Sequence, residues 1–266
     1  MNLRLPLIAA GVAILAQTVP ADAATYYFIR HAESTANTGE AKTPEEMVDP
    51  MLTALGQQQT LDLVNRLDGV NLTNIYVSSY KRTGLTIYPT ASSHGLATTT
   101  VDAIKEWSFG DADLNDPNFS SKFGAMFGAW AKGDTGAKLE GAPASESLDE
   151  LNARVIPAYM DIINRHKNED GVVAMVGHGG SIGWTMPTLT ENVTLSYALG
   201  NGLHNTAIVK VEFGDDGKLY VTEWDGKAFD RQGPVAPVPL PAGAFLLISA
   251  LGGLGVTRAL SRRASA

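Results

Sequence analysis

Arg30 and His31, side by side near the start of the chain, are the residues best suited to chemistry. They follow an aromatic and β-branched run, 26–29, that predicts a short buried strand. In open α/β sheets, ligands bind at the carboxyl ends of the strands. A histidine held there can act as a nucleophile, and a guanidinium beside it can bind an anion. By itself the pair is equally consistent with a buried histidine at a strand end.

Three further residues of suitable type also follow predicted strands. They are Arg82 after the strand 74–79, Glu106 after the strand 98–101, and His178 after the strand 172–176. Each has an ordinary alternative: a surface arginine at a helix start, a solvated carboxylate, or a histidine that merely ends a strand. Carboxyl ends of parallel strands meet at one edge of a sheet, so together the residues predict a shared site.

Strand and helix patterns alternate along the chain, which predicts an α/β fold with a mostly parallel, helix-covered sheet. Thr53 caps a predicted helix that runs to Leu67, and Lys81 begins another that runs to His94. Ser147 and Glu150 form a capping box for a later amphipathic helix. A hairpin is predicted from the strands 206–213 and 219–224, joined at an Asp-Gly turn.

Residues 111–141 interrupt this alternation. The segment is rich in glycine, aspartate and asparagine, and it carries an aromatic stripe, Phe119, Phe123, Phe127 and Trp130. We interpret it as a small inserted cap with limits at about residues 107–145 of the domain.

The first 23 residues predict a signal peptide. A short basic start is followed by the uncharged apolar run 5–15, and Ala21-Asp22-Ala23 supplies small residues before a cleavage site. A transmembrane anchor is the alternative, but the apolar run is short for a span. Export is therefore the better interpretation, with a catalytic domain from about 24 to 236.

The C-terminal segment, 237–266, has the pattern of a membrane-targeting tail. Val238-Pro239-Leu240-Pro241-Ala242 precedes an apolar, glycine-rich run, and three arginines follow. The segment resembles the VPLPA variety of the PEP-CTERM sorting tail, which implies an exosortase-type partner and at least transient membrane attachment. An ordinary C-terminal anchor is the alternative. Either interpretation predicts an enzyme in the periplasm or cell envelope, anchored or released after processing.

Charge and composition exclude several classes of partner. The chain has 28 acidic and 20 basic residues, a net charge of -8, and no basic stripe, which argues against a nucleic-acid partner. It contains no cysteine, and no two histidines have the spacing of zinc ligands on a helix. A calcium-loop pattern that starts at Asp111 fails at Asp116 and Lys122.

Five segments together resemble, in order, the motifs of the histidine phosphatase superfamily, the phosphoglycerate-mutase-like proteins. They are Arg30-His31-Ala32-Glu33-Ser34, 49–53 with Gly56 and Gln59, 75–83 with Thr86, 104–110, and 176–180. Ser79 stands where a proline is common, a modest departure. The glycines after His178 and the early position of Glu106 favour branch 1 over the acid-phosphatase and phytase branch.

This resemblance implies a three-layer α/β/α sandwich and a phosphohistidine intermediate on His31. The phosphate would be bound by Arg30, Arg82, His178 and, as in some relatives, Asn37. Glu106 would protonate the departing alkoxide and then activate the hydrolytic water. Neither a metal nor another cofactor is expected, because the arginines supply the positive charge.

Three functions remain open at this stage. A phosphomonoesterase acting on a small phosphorylated organic substrate is the first. A phosphoglycerate-mutase-like phosphotransferase is the second, but it needs a second anion site, and 107–145 contains three lysines and no arginine. The third is an inactive, envelope-displayed binding protein on the same fold. A binding protein would not need an acid at Glu106, so we favour the phosphomonoesterase.

Overall fold

The computed structural model describes residues 24–41 and 43–234, which form one mixed β-sheet covered by helices. Within these residues the sheet has eight strands in the order β3-β2-β4-β1-β5-β6-β7-β8. The strands are β1 (Thr25–Arg30), β2 (Leu72–Val77), β3 (Thr98–Thr100), β4 (Val172–Gly177), β5 (Ile208–Phe213), β6 (Leu219–Trp224), β7 (Lys227–Asp230) and β8 (Gly233–Pro234). Strands β3, β2, β4 and β1 are mutually parallel, and β5 to β8 extend the sheet in antiparallel pairs.

Most helices of the described residues connect these strands. They are α1 (Thr35–Thr38), α2 (Pro44–Val48), α3 (Ala54–Leu67), α4 (Lys81–Ser93), α5 (Phe119–Ala131), α6 (Leu148–His166), α7 (Gly179–Gly183), α8 (Met186–Leu189) and α9 (Leu195–Gly200). A 3₁₀ turn at Asp102–Ile104 follows β3. None of the helices in residues 24–41 and 43–234 has both the length and the apolar character needed to cross a membrane.

The two faces of the sheet bury separate apolar clusters. Along β1, Tyr26 and Phe28 belong to a cluster with α5 and α6, whereas Ile29 belongs to a cluster with α3 and α4. This alternation follows from the two-residue period of a strand. The predicted α/β/α sandwich is therefore confirmed, with helices on both faces of a sheet whose site-bearing half is parallel.

The longer elements lie close to their predicted positions. Thr53 caps α3 by accepting a hydrogen bond from the Gly56 backbone N–H at 2.9 Å. Ser147 and Glu150 form the predicted capping box of α6, with bonds of 3.2 and 2.9 Å. The Asp-Gly turn joins β5 to β6, and Gly217 has a φ of 74°, in the left-handed region that glycine favours.

Some elements differ from the prediction. Strand β2 ends at Val77 rather than Ser79, because the Ser78 hydroxyl accepts the Tyr80 backbone N–H at 3.3 Å and starts a turn. The short helices α1, α2 and α7 to α9, and the strands β7 and β8, were not predicted, since such short segments carry little periodicity. The predicted signal peptide and sorting tail lie outside the described residues.

Candidate active site

The parallel half of the sheet brings three loops to one edge. The backbone N–H of His31 donates to Gly177 O at 3.0 Å, and that of Ser78 donates to Val176 O at 3.1 Å. Strands β1, β2 and β4 therefore end at the same level. The residues that follow them, His31, Ser78 and His178, lie together at the carboxyl edge, as the strand-end argument predicts.

The backbone sets the proton arrangement of His31. Its Nδ1 lies 2.7 Å from the carbonyl oxygen of Ala32. A carbonyl oxygen can only accept, so Nδ1 carries the proton and Nε2 keeps its lone pair. The pKa of His31 is held well below its ordinary 6.5, first by burial and then by the positive charge of Arg82. His31 is thus neutral near pH 7 with Nε2 available as a nucleophile.

Helices α3 and α4 hold the loop that contains His31. The backbone N–H of Ala32 donates to Thr86 Oγ1 at 2.8 Å, and that of Glu33 donates to Gln59 Oε1 at 2.8 Å. A Cβ atom on Gly56 would lie 2.0 Å from the Glu33 carbonyl oxygen, so only glycine allows α3 to approach this closely. These contacts give the motif residues Gly56, Gln59 and Thr86 a positioning role.

His178 lies against the nucleophile in the interior of the site. Its ring centroid is 5.2 Å from that of His31, and its Nε2 is 2.7 Å from Ser78 Oγ. Its Nδ1 is buried without a hydrogen-bond partner. Burial lowers the pKa of His178 well below 6.5, and the positive charge of Arg82 lowers it further.

Two arginines supply the positive charge of the site. Arg30 donates from Nη1 to Leu203 O, and its buried Nε has no partner. Arg82 donates from Nη1 to Val48 O at 2.8 Å, and its guanidinium lies 4.6 Å from the ring centroid of Tyr80. Burial lowers the pKa of both arginines, and Glu106 opposes this. Both remain charged at any physiological pH.

The backbone of α7 holds the Glu106 carboxylate. Oε1 accepts from the N–H of Ser181 at 2.8 Å and of Trp107 at 2.9 Å, and Oε2 accepts from Gly180 at 3.1 Å. A Cβ on Gly180 would lie 2.6 Å from Oε1 and 2.7 Å from the Trp184 ring. Gly180 therefore permits the close approach of carboxylate, helix and indole.

Arg154 clamps the segment that carries Glu106. Its guanidinium donates to the carbonyl oxygens of Ala103, Lys105 and Glu106 at 2.7, 3.1 and 3.3 Å. It also forms an ion pair with Glu146 at 2.8 Å. Arg154 could not be predicted from the sequence, because a single arginine in an amphipathic helix carries no signal of its distant partners. Ser78 lies inside the motif 75–83, but its contact with His178 was not predicted.

Asn37 and Asn205 border the same site. Asn37 Oδ1 accepts from the Ser34 N–H and Oγ–H, both at 3.0 Å, and from Asn205 Nδ2 at 3.3 Å. The Asn37 amide nitrogen is thus the group left for a ligand. Asn205 Nδ2 also donates to the His31 carbonyl oxygen at 3.0 Å. Asn205 thus links the nucleophile loop to Asn37, a contact that the sequence did not predict.

These residues surround a cavity of about 310 Å³, which we call the catalytic cavity. Its wall includes five of the six predicted site residues: Arg30, His31, Asn37, Arg82 and Glu106. The sixth, His178, is fully buried next to His31 and does not line the cavity. The cavity can hold a dianion between two guanidinium groups, next to an unprotonated imidazole nitrogen and a carboxyl group. In residues 24–41 and 43–234, no three His, Asp or Glu side chains are grouped to hold a metal ion.

Solved structures share this fold at low sequence identity. A mycobacterial glucosyl-3-phosphoglycerate phosphatase, solved with VO3, has a TM-score of 0.62 and 20% identity over 76% of this chain and 99% of its own. A phosphoserine phosphatase from Entamoeba histolytica has a TM-score of 0.60 and 21% identity over 76% and 96%. A putative α-ribazole-5'-P phosphatase from Escherichia coli has 0.60 and 17% over 81% and 100%.

A comparison with curated proteins found no match. The family model described as "Histidine phosphatase superfamily (branch 1)" matches residues 26–225, which span β1 to the end of β6 and contain every residue of the site. The motif order, the sheet-edge geometry and this match agree, and the chain belongs to branch 1 of the histidine phosphatase superfamily.

Proposed function

We propose that the protein is a phosphomonoesterase that acts through a phosphohistidine on His31. One observation carries the proposal. Two buried polar atoms of side chains next to His31, Arg30 Nε and His178 Nδ1, have no hydrogen-bond partner, and His31 itself has an available Nε2. Buried polar atoms are normally paired, so unpaired ones beside a nucleophile indicate a polar ligand. A phosphoryl group supplies oxygens for both.

In the first step, His31 Nε2 attacks phosphorus in line with the ester oxygen. The N–P bond forms as the P–O bond breaks. Glu106, which enters the cycle in its protonated state, gives its proton to the departing oxygen. Arg30 and Arg82 hold the phosphoryl oxygens, whose charge they neutralise in a site shielded from water. His178 becomes a further donor when the negative charge of a bound dianion opposes the burial and the positive charge of Arg82, which lower its pKa.

In the second step, water takes the place of the alcohol. Glu106, now a carboxylate, removes a proton from the water as its oxygen attacks phosphorus. The N–P bond breaks, and the electron pair returns to His31 Nε2. Inorganic phosphate leaves, and the enzyme recovers its starting protonation state. All protons in this cycle move through Glu106, so the reaction needs no metal-bound hydroxide.

Hydrolysis is favoured over the two alternatives. A mutase must bind a second anionic group, and among the described residues the catalytic cavity contains no cation besides Arg30 and Arg82. An inactive binding protein would have no use for a carboxyl group held by three backbone donors and a clamp at Arg154. The solved structures with this fold include phosphatases of three different substrates, which supports phosphatase activity in general.

Rapid-quench experiments test the proposal. With ³²P-labelled aryl phosphate, the purified protein should yield acid-labile, base-stable phosphate on the polypeptide within one turnover. His31→Ala should lose both the label and the activity. His94→Ala, a control directly after α4 that does not line the catalytic cavity, should keep both. Full turnover in His31→Ala would show that another residue is the nucleophile.

We also propose that the enzyme is exported to the periplasm or cell envelope. The support comes from the sequences of 1–23 and 237–266, which imply a leader and an exosortase-type sorting partner with transient membrane attachment. Cell fractionation with an antibody to the domain should find shortened protein in the envelope or the medium. Full-length protein in the cytoplasm would contradict the proposal.

A further inference from the structure

A second cavity, of about 270 Å³, opens next to the catalytic one. Four aromatic side chains line it, namely Trp107, Phe109, Phe123 and Trp184, and we call it the aromatic pocket. It shares Arg30, Glu106 and Phe109 with the catalytic cavity, but His31 does not line it. The pocket is therefore continuous with the proposed phosphate site on a side away from the nucleophile.

The position of the Glu106 carboxylate connects the aromatic pocket to the reaction. Its oxygens accept hydrogen bonds from Gly180 and Ser181, and Gly180 itself lines the pocket. In-line transfer places the leaving oxygen opposite His31, within hydrogen-bond reach of the acid. The group attached to that oxygen therefore extends into space that borders Glu106 but not His31. The aromatic pocket meets this condition, as does a cavity of about 230 Å³ beside Tyr80 and Arg82. Of the two, the aromatic pocket is the one lined by Gly180, whose N–H holds the acid.

The walls of the aromatic pocket are already assembled. Trp107 contacts Phe109 and Phe123 with ring centroids 5.0 and 5.5 Å apart. Trp184 packs on Phe127 at 4.8 Å, which joins the pocket to the core. The indole N–H of Trp107 donates to the Glu146 carbonyl oxygen and is not available to a ligand. A preformed apolar wall binds a matching group with little loss of side-chain entropy.

The charges around the pocket exclude a second anionic group on the substrate. Among the described residues that line it, Arg30 and Glu106 are the charged ones, and both are assigned to the phosphoryl group and the proton. Nearby cations already have carboxylate partners: Lys105 with Asp102 at 3.0 Å, Lys122 with Asp116 at 2.7 Å, and Arg154 with Glu146 at 2.8 Å. A carboxylate in the pocket would be desolvated without a counterion.

We propose that the natural substrate is the phosphate ester of an uncharged, apolar alcohol or phenol, whose hydrocarbon or aromatic part occupies the aromatic pocket. This inference rests on the proposed phosphatase function and specifies its substrate class. It distinguishes this protein from a phosphatase that acts on phosphorylated sugar acids or phosphorylated amino acids, because the pocket does not accommodate their carboxylates.

Three non-hydrolysable phosphonates of equal chain length test this without turnover. Propylphosphonate, phenylpropylphosphonate and phosphonobutyrate differ in ending with hydrogen, phenyl or carboxylate. Calorimetric titration of the full chain in mild detergent should show the phenyl compound binding about 10- to 100-fold tighter than the propyl one, the gain from burying a phenyl group. The carboxylate compound should bind more weakly than the propyl one.

Two variants of the pocket and one control complete the test. Phe123→Ala should remove most of the phenyl advantage, and Phe123→Lys should favour the carboxylate compound. Tyr88→Ala is the control, since it removes an exposed aromatic ring on α4 that lines neither the catalytic cavity nor the aromatic pocket. It should keep the wild-type order of affinities.

The outcomes separate this inference from the proposed function. The inference is overturned if the carboxylate compound binds as tightly as the phenyl one, if Phe123→Ala keeps the full phenyl advantage, or if no phosphonate binds. The expected order of affinities without hydrolysis of any ester would instead support the ligand class and refute the phosphatase. Hydrolysis that is equally fast for apolar and carboxylated esters would refute the inference alone.

Discussion

Replacing Gly180 with alanine places a methyl group against the proposed acid. The Cβ would lie 2.6 Å from Glu106 Oε1, whereas ordinary van der Waals contact begins at 3.4 Å. The carboxylate must therefore move by roughly 0.8 Å. A shift of that size away from α7 lengthens the 2.8 Å hydrogen bond from the Ser181 N–H to Glu106 Oε1 beyond hydrogen-bond range. It cannot move freely, because Arg154 clamps its backbone and the Trp184 ring meets the same methyl group.

The kinetic consequence depends on the leaving group. Misplacing a catalytic group by about 1 Å lowers the reaction rate by about 10²-fold. This loss lies within the rate enhancement of about 10²–10⁴-fold that a general acid contributes. We expect Gly180→Ala to lower the phosphorylation rate for an alkyl phosphate by about 10²-fold. A nitrophenyl phosphate, whose leaving group departs without a proton, should lose much less. Single-turnover measurements on both substrates give the ratio directly.

Gly183→Ala provides the matched control in the same helix. A Cβ there meets its nearest neighbours, Leu203 and Trp224, at 3.9 Å. Since alanine is favoured over glycine in helices by about 1 kcal/mol, this variant should be as stable as the wild type and as active. Equal alkyl-phosphate rates in Gly180→Ala and Gly183→Ala would refute the role assigned to the Glu106 geometry.

Three more predictions concern the site. Glu106→Gln should slow alkyl esters about 10²–10⁴-fold in the phosphorylation step, and phosphohistidine should accumulate with aryl esters; equal losses on both in single-turnover assays would make Glu106 structural. Because the pKa of His31 is lowered from 6.5 on folding, the unfolded chain binds more protons below that pH. The free energy of unfolding should fall as the pH drops below 6.5, by up to about 1.4 kcal/mol per unit, and His31→Asn should reduce the slope in urea titrations at successive pH values. Activity should survive dialysis against EDTA, and vanadate should inhibit, since the two arginines can hold an oxyanion without a metal; recovery that requires an added divalent ion would contradict this.

Local patterns in the chain were sufficient to predict the principal elements and the site candidates. Arg30 ends and His31 follows a strand whose composition is visible over a few residues, and the caps at Thr53 and Ser147 act over three residues. Such signals depend on neighbours along the chain, so they survive without knowledge of the fold. The motif order then related the chain to a family whose model matches residues 26–225.

Only the tertiary structure determined how these candidates work together. Glu106 is 74 residues from the Gly180 N–H that binds it, and Ser78 is 100 residues from its partner His178. The lone pair on His31 Nε2, the clamp at Arg154 and the aromatic pocket likewise depend on atoms brought together by packing. Residue types and spacings along the chain determine which groups are available, but hydrogen bonds and apolar contacts between distant segments decide which atoms meet, because these interactions act over a few ångströms of space rather than along the sequence.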